Sequence, residues 1–268
     1  HCVFILMEVF NKMRNKMNSN NPFEQFDIQH LSASSINLFI QDIPLFIVRY
    51  LAKHKSPTNP AMVRGTVIDH CIGNKTSILE AQKEFKKIMN YEKKQGNVFD
   101  KEKADTEYNN LERYLEIGIP FYEKLGEPVS YQERVELNFD DLPVPIIGFV
   151  DMEYKDCIRD IKTTAKRPST LLPPVQRQIA IYATALEKNR AYADYLYVTK
   201  TKAEVITLEV DDIDMRLNEV YRVASAMMNL LQNNDINSLI EQFYPNFESS
   251  WMWDASSIEQ AKKLWRIK

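Results

Sequence analysis

The chain has 268 residues, 44% of them hydrophobic, which is enough to close a sizeable core in one large domain. Its 34 Lys and Arg against 37 Asp and Glu leave a net charge of −3, which argues against a nucleic-acid-coating protein held by its overall field; contact with phosphate has to come from a local patch or from bound cations. Three cysteines, Cys2, Cys71 and Cys157, without any Cys-x-x-Cys spacing indicate neither a disulfide framework nor a zinc site.

In chain order, the apolar run Cys2 to Met7 is too short to span a membrane. It has no basic stretch before it and no small-residue cleavage site after it, so it does not read as a signal peptide. A soluble, cytoplasmic protein with no membrane partner is expected. Residues 1–30, with the polar breaker cluster Asn18 to Pro22, read as an arm or linker ahead of a single domain over residues 31–268. Leu31-Ser32-Ala33-Ser34-Ser35 offers hydroxyl N-caps to a helical region carrying Ile36, Leu38, Phe39, Leu45 and Phe46, with Pro44 marking a kink or a restart. Lys53 to Pro60 is a loop, and Ala61 to Ile72 opens the next helix. That helix carries Arg64, Gly65, Asp69 and His70; a glycine there lets something pack against the helix backbone, while a single His or Asp on a helix is usually a surface or satisfied core residue. Thr76 to Tyr91 and Lys101 to Leu125 are charged, amphipathic and helical, separated by a loop with Gly96, and form a helical insertion over about residues 76–125 with solvated faces.

After the break at Gly126-Glu127-Pro128 the pattern changes to alternation. Ser130 to Phe139, Pro143 to Tyr154 and Cys157 to Thr163 predict a three-stranded meander that turns at Asp140-Asp141 and Lys155-Asp156. In the third strand Asp160 and Lys162 point the same way, and Asp151 near the end of the opposing strand can converge on them. Two carboxylates and an ammonium then meet at one point, and oxygen ligands of this type suit Mg²⁺ or Mn²⁺. An isolated Asp-x-Lys is more often an ordinary ion pair on a half-exposed strand. Gly148, which allows a close backbone approach or a bulge, and the polar Thr163-Thr164 shift that balance. Lys166-Arg167-Pro168 follows as a short basic loop, and Pro173-Pro174 precedes a helix from Val175 to Glu187 that carries Arg177, Gln178 and Tyr182. Gln178 and Tyr182, four residues apart, share one face. Tyr192 to Thr199 and Ala203 to Val210 predict two more strands, Asp211 and Asp212 can cap a helix from Ile213 to Leu231, and a final helix lies near Ser256 to Trp265. Trp251 and Trp253 read as core or lid packing rather than base-stacking platforms.

Four patterns thus stand in order: the Arg64-Gly65 helix, Gly148-x-x-Asp151, Asp160-x-Lys162 and Gln178-x-x-x-Tyr182. With the Leu31-Ser32 start they resemble the PD-(D/E)XK nuclease superfamily, in its RecB-like, phage-type exonuclease branch, over about residues 31–210. The resemblance implies an α/β (α+β) fold: a mixed central β-sheet flanked by helices, a restriction-endonuclease-like core with a helical N-terminal elaboration. It implies a metal-dependent DNA exonuclease that hydrolyses phosphodiester bonds in phage-type recombination, repair or degradation, encoded by a phage and acting in a bacterial host. Asp151, Asp160 and the carbonyl of Ile161 would hold Mg²⁺ (or Mn²⁺), with Asp69 or His70 completing the set. Counted from Gly65, Asp69 takes the place of the family's outer ligand and His70 comes one position late, so both stay open. Lys162 would act on the attacking water, and Gln178 and Tyr182 would position the lysine and the DNA backbone. Arg64, Lys166, Arg167 and Arg177 are the candidate phosphate contacts. DNA and a single-strand annealing or recombination protein are the implied partners, and nothing sets the oligomeric state. Some RecB-like nucleases carry a four-cysteine iron–sulfur cluster, and this chain lacks the ligands, so no iron–sulfur cluster is expected. A reading of another class, a non-catalytic nucleic-acid-binding or assembly module that retains the fold, has the intact Asp160-x-Lys162 against it.

Overall fold

A computed structural model describes residues 21–248 and 252–268. The run from Cys2 to Met7, most of the expected N-terminal arm and Trp251 lie outside the described residues. In chain order the elements are α1 (Ala33–Gln41), α2 (Ile43–Phe46), α3 (Pro60–Gly73), α4 (Ile78–Lys94), α5 (Lys101–Leu125), β1 (Ser130–Leu137), β2 (Ile146–Glu153), β3 (Cys157–Thr164), α6 (Pro173–Ala185), β4 (Arg190–Val198), β5 (Ala203–Glu209), α7 (Ile213–Gln232), α8 (Ile236–Gln242) and α9 (Ala255–Trp265). The chain divides into two compact units, one made of the segments up to His54, Asn138–Ile146 and Tyr221–Lys268, the other of Lys55–Leu137 and Ile147–Val220.

In the first unit, Ser32 caps α1 through a reciprocal pair: its hydroxyl accepts from Ser35 N at 3.1 Å, and the Ser35 hydroxyl accepts from Ser32 N at 2.9 Å. Asp42 then leaves the helix with extended backbone and caps α2, accepting from Leu45 N at 2.9 Å, so Pro44 falls in the first turn of a restarted helix where its missing N–H costs nothing. The second oxygen of Asp42 accepts from Trp253 Nε1 at 2.7 Å, and the buried Trp253 ring packs edge-on against Phe247. This tryptophan is core, as its pattern suggests.

The second unit holds the sheet, in the order β1-β2-β3-β4-β5. β2 and β3 are antiparallel, β3 and β4 parallel, β4 and β5 antiparallel. The parallel pair requires a crossover, and α6 supplies it. β4 is buried along almost its whole length, as its near-continuous apolar run demands of a central strand. On one face α3, α4 and α5 bury Val63, Val67, Ile68, Leu111 and Leu115 against Met152, Leu196 and Val198, with Ile161 at the margin of the cluster. α6 packs on β1, β3 and β4, and because side chains alternate along β3 it meets the face of Lys162, not that of Ile161. With nine α-helices among the described residues, this is the α/β architecture with a mixed central sheet that the sequence predicts.

One charged cluster lies inside this unit. Asp194 of β4 is fully buried and takes four bonds: two from Arg159 at 2.7 and 2.8 Å, one from Tyr122 OH at 2.9 Å and one from Thr207 Oγ1 at 2.6 Å. The Arg159 guanidinium also stacks 4.6 Å above the Tyr192 ring. A buried carboxylate is tolerated only when it is paired and hydrogen-bonded in this manner. No helix among the described residues is long and apolar enough to cross a membrane.

Candidate active site

The site is built on the β2–β3 hairpin. The strands pair at Met152 with Arg159 and at Glu153 with Ile158, beside a turn in which Tyr154 N donates to Cys157 O at 2.8 Å. One place further from the turn the backbone N–H of Ile161 donates to the Asp151 carboxylate at 2.7 Å, so a side chain supplies the acceptor at this point. That bond brings Asp151 to Asp160, which is 1% exposed. Lys162 Nζ stands 2.7 Å from Asp160 Oδ2 and donates to Gln178 Oε1 at 3.3 Å; Gln178 Nε2 in turn donates to Tyr182 OH at 3.1 Å. The i, i+4 spacing on α6 thus forms a relay that ends on the lysine. The Tyr182 ring lies on Gly148, where a Cβ would stand 2.1 Å from Cε1. What approaches this glycine backbone is an aromatic ring, and no bulge is needed.

α3 brings the third carboxylate. Asn59 caps the helix by accepting from Met62 N at 3.0 Å, and Pro60 follows in its first turn. Asp69 projects into the cleft, where Gln132 Nε2 donates both to Asp69 Oδ2 at 2.6 Å and to Asp151 Oδ1 at 2.9 Å, and Tyr131 OH reaches Asp69 Oδ2 at 3.4 Å. His70 does not reach the cleft: it is exposed and pairs through Nδ1 with Asn74 of its own helix at 3.0 Å. Neighbouring helical residues point about 100° apart, so only one of the two can face the carboxylates. Gly65, one turn before Asp69, has nothing within 4 Å of a built Cβ. The expected packing against this glycine is absent, and its backbone opens on the cleft instead. The cleft, of about 220 Å³, is lined by Gly65, Thr66, Asp69, Asp151, Asp160, Ile161, Lys162, Thr163 and Gln178.

The electrostatics are those of carboxylates crowded out of water. Burial, then Asp160, raises the Asp69 carboxyl to about 6, against the hydrogen bonds of Tyr131 and Gln132. Burial, then Asp160 and Asp69, pushes Asp151 well above the usual range, and burial raises Asp160. Burial works against the Lys162 ammonium, but Asp160 and Asp151 together hold it above the usual lysine range. One oxygen of Asp69 and Oδ1 of Asp160 are buried without a hydrogen-bond donor, while Asp160 Oδ2 is paired with the Lys162 ammonium at 2.7 Å. Orphaned hard oxygen atoms beside two further carboxylate oxygens and a strand carbonyl fit a hard divalent cation. Among the described residues no three His, Cys, Asp or Glu side chains form a ready-made metal cage; Gln132 and Lys162 stand among the carboxylates.

The basic residues divide. Arg64 is turned inward, ion-paired with Glu107, bonded to Thr163 Oγ1 at 2.9 Å and stacked 4.8 Å from the Tyr114 ring. Arg177 is buried and bonds Glu219 at 3.2 Å. Both are internal ties instead of the surface phosphate contacts that their positions suggest, because each finds an acidic partner far along the chain. Lys166 and Arg167 lie exposed on the loop after β3, Arg167 beside Glu204. Sequence reasoning passes over Gln132 and Tyr131 entirely. Gln132 has φ 51° inside a strand, a conformation with no pattern to betray it in a non-glycine residue.

No family model and no curated protein matches the chain. Among solved structures it is similar to a protein of Eubacterium rectale named "Putative exonuclease", with a TM-score of 0.55 and 12% identity over 81% of this chain and 84% of that one. A second, SSO0001, aligns over 80% of this chain and 95% of its own at 14% identity, with a TM-score of 0.36. The Eubacterium rectale likeness shows a shared fold.

Proposed function

We propose that the chain is a divalent-metal-dependent deoxyribonuclease, a RecB-like PD-(D/E)XK exonuclease. The observation that carries the reading is the meeting of Asp69, Asp151, Asp160 and Lys162 in one cleft with two orphaned carboxylate oxygens, one on Asp69 and one on Asp160. The shared fold with a protein whose name includes "exonuclease" supports it. Asp69, Asp151, Asp160 and the Ile161 carbonyl would hold Mg²⁺ or Mn²⁺, which when bound supplies Lewis-acid stabilisation of charge on the phosphate and acidifies a water. Lys162, anchored by Asp160 and Gln178, offers an ammonium that orients a water or stabilises charge on a phosphate oxygen. Gln178 and Tyr182 position it. Lys166 and Arg167 remain as phosphate contacts, which read no base and weaken with salt, and the open backbone at Gly65 leaves room for a strand to approach. The resemblance extends the proposal to phage-type DNA recombination, repair or degradation alongside an annealing protein.

The test is incubation of the purified chain with end-labelled linear DNA and with closed circular DNA, in Mg²⁺, Mn²⁺ or EDTA. Linear DNA shortened from its ends with either metal, circles spared and no cleavage in EDTA is the expected result. Binding without hydrolysis under every cation would sink the reading in favour of a non-catalytic module. Cleavage of closed circles would make the enzyme an endonuclease.

A further inference from the structure

Tyr131 and Gln132, consecutive residues of β1, reach the same atom. Gln132 Nε2 donates to Asp69 Oδ2 at 2.6 Å, and Tyr131 OH donates to the same oxygen at 3.4 Å. Side chains of consecutive strand residues point to opposite faces, so a regular β1 could offer Asp69 only one of the two. Gln132 breaks the alternation with φ 51°, a left-handed conformation that L side chains adopt at a cost and that recurs where a strand bulges to re-aim a side chain beside a site. Room for the Tyr131 ring comes from α3: the ring lies on Gly73, in the space that a Cβ there would fill. The same Gln132 nitrogen donates its second N–H to Asp151 Oδ1 at 2.9 Å. A strained backbone, a close helix–strand approach and three hydrogen bonds thus converge on two carboxylates.

Resting on the metal-dependent reading above, we propose that Gln132 and Tyr131 are positioning residues that present the Asp69 carboxylate to a divalent cation. Asp69 stands on a helix and Asp151 on a strand, and the two N–H groups of one amide set the spacing between them. Both donors take Asp69 Oδ2; Oδ1 is buried and has no donor, which makes it the ligand atom. The bonds from Gln132 leave further lone pairs on both carboxylates, so the bridge and a held cation are compatible. Contacts to the outer side of metal ligands fix their orientation and are worth about 10–100-fold in metal affinity. Mg²⁺ demands near-octahedral geometry, whereas Ca²⁺ accepts a larger and looser set of oxygens. A brace on Asp69 and Asp151 therefore favours the smaller ion, and the left-handed backbone at Gln132 serves that preference.

Three variants test this without DNA. Gln132→Gly removes the side chain and adopts φ 51° without strain, Gln132→Met keeps the length of the side chain without its donors, and Tyr131→Phe removes the hydroxyl alone. Mn²⁺ binding to the full chain is measured by electron paramagnetic resonance of the free ion, and Mg²⁺ and Ca²⁺ binding by displacement of Mn²⁺, with thermal melting in EDTA to establish that each variant is folded. Both Gln132 variants are expected to lose about tenfold or more in Mg²⁺ affinity and less in Ca²⁺ affinity, so that the preference for Mg²⁺ falls; Tyr131→Phe should follow in the same direction by a smaller factor. An equal loss for both ions overturns the positioning role and leaves Gln132 a purely structural residue. Unchanged or tighter Mg²⁺ binding in either Gln132 variant overturns it as well. If the unmutated chain binds none of the three ions, the metal-dependent reading fails and the positioning role with it. If that chain binds them and the variants keep its preference, the positioning role alone fails.

Discussion

Gly148→Ala probes the coupling between core packing and Lys162, the lysine of the proposed site. The added methyl would stand 2.1 Å from Tyr182 Cε1 and 3.0 Å from Cδ1 and Cζ. Carbon atoms rest about 3.5–4.0 Å apart, so the ring or the strand has to give way by roughly 1.5 Å. Tyr182 is only 6% exposed, and its hydroxyl is tied to Gln178, so no free volume lies beside it. Overpacking of this kind costs about 1–3 kcal/mol, which urea denaturation would register as a lower midpoint at unchanged slope. The displacement also passes along the relay: a shifted Tyr182 pulls on Gln178, whose Oε1 is 3.3 Å from Lys162 Nζ. Misplacing a reacting group by about 1 Å can cost on the order of 10²-fold in rate, so kcat on linear DNA should fall far more than KM rises. A double-mutant cycle sharpens the test, because Tyr182→Ala removes the ring that the methyl strikes, and the stability cost of Gly148→Ala should largely vanish in that background. A Gly148→Ala variant with parental stability and parental kcat would refute the reasoning, as would strict additivity with Tyr182→Ala.

Asp160→Ala is expected to abolish cleavage while DNA binding in a gel-shift assay persists, because a proposed ligand carboxylate is lost and the proposed phosphate contacts Lys166 and Arg167 remain; undiminished turnover would remove Asp160 from the site. Asp69→Ala should shift the Mg²⁺ titration of activity strongly upward and His70→Ala leave it unchanged, since only Asp69 faces the cleft; the reverse ranking would return the ligand role to His70. At Gly65, where nothing lies within 4 Å of a new Cβ, alanine should stabilise the helix by about 1 kcal/mol in a melting experiment, whereas Gly65→Trp should fill the cleft and raise KM for DNA. Equal KM for the two Gly65 variants would mean that DNA does not pass there.

What could be read beforehand was what is local. β3 is expected over Cys157 to Thr163 and runs Cys157–Thr164, because alternation of side chains is visible in eight residues. Asp151, Asp160 and Lys162 share one hairpin, and Gln178 and Tyr182 one helical face, so their proximity follows from the periods 2 and 3.6 alone. Between Asp69 and His70, the spacing from Gly65 and the better fit of a carboxylate to Mg²⁺ favour Asp69 without deciding it, since one residue of uncertainty in spacing is about 100° of helix rotation. Arg177 looked like a surface cation because its partner Glu219 lies 42 residues away, and Gln132 was invisible because Asp69 lies 63 residues from it and Asp151 19. The strand-breaking stretch before β2 hides more: Asn138–Ile146, which includes the first residue of β2, belongs to a different compact unit from β1 and from the rest of β2.

The Asp194 cluster has a consequence for how the sheet is assembled. A hairpin aligns its own strands through its turn, but β3 and β4 meet only after a long crossover, and nothing local tells one how far to slide along the other. Arg159 sits opposite Tyr192 and Asp194 opposite Ile161, so the ion pair runs diagonally between rungs two apart, on one face of the ladder. Sliding β4 by one residue would turn Asp194 to the other face and strand Arg159 among apolar side chains. Breaking a buried pair this way costs about 3–5 kcal/mol, enough to make a misaligned chain reopen before β5 closes over it. Asp194 and Arg159 act as a key cut for one alignment, and the strand they align is the one that bears Asp160 and Lys162. A chain without the key, as in Asp194→Ala, would sample shifted pairings and aggregate on refolding, although Asp194 itself lines no part of the cleft.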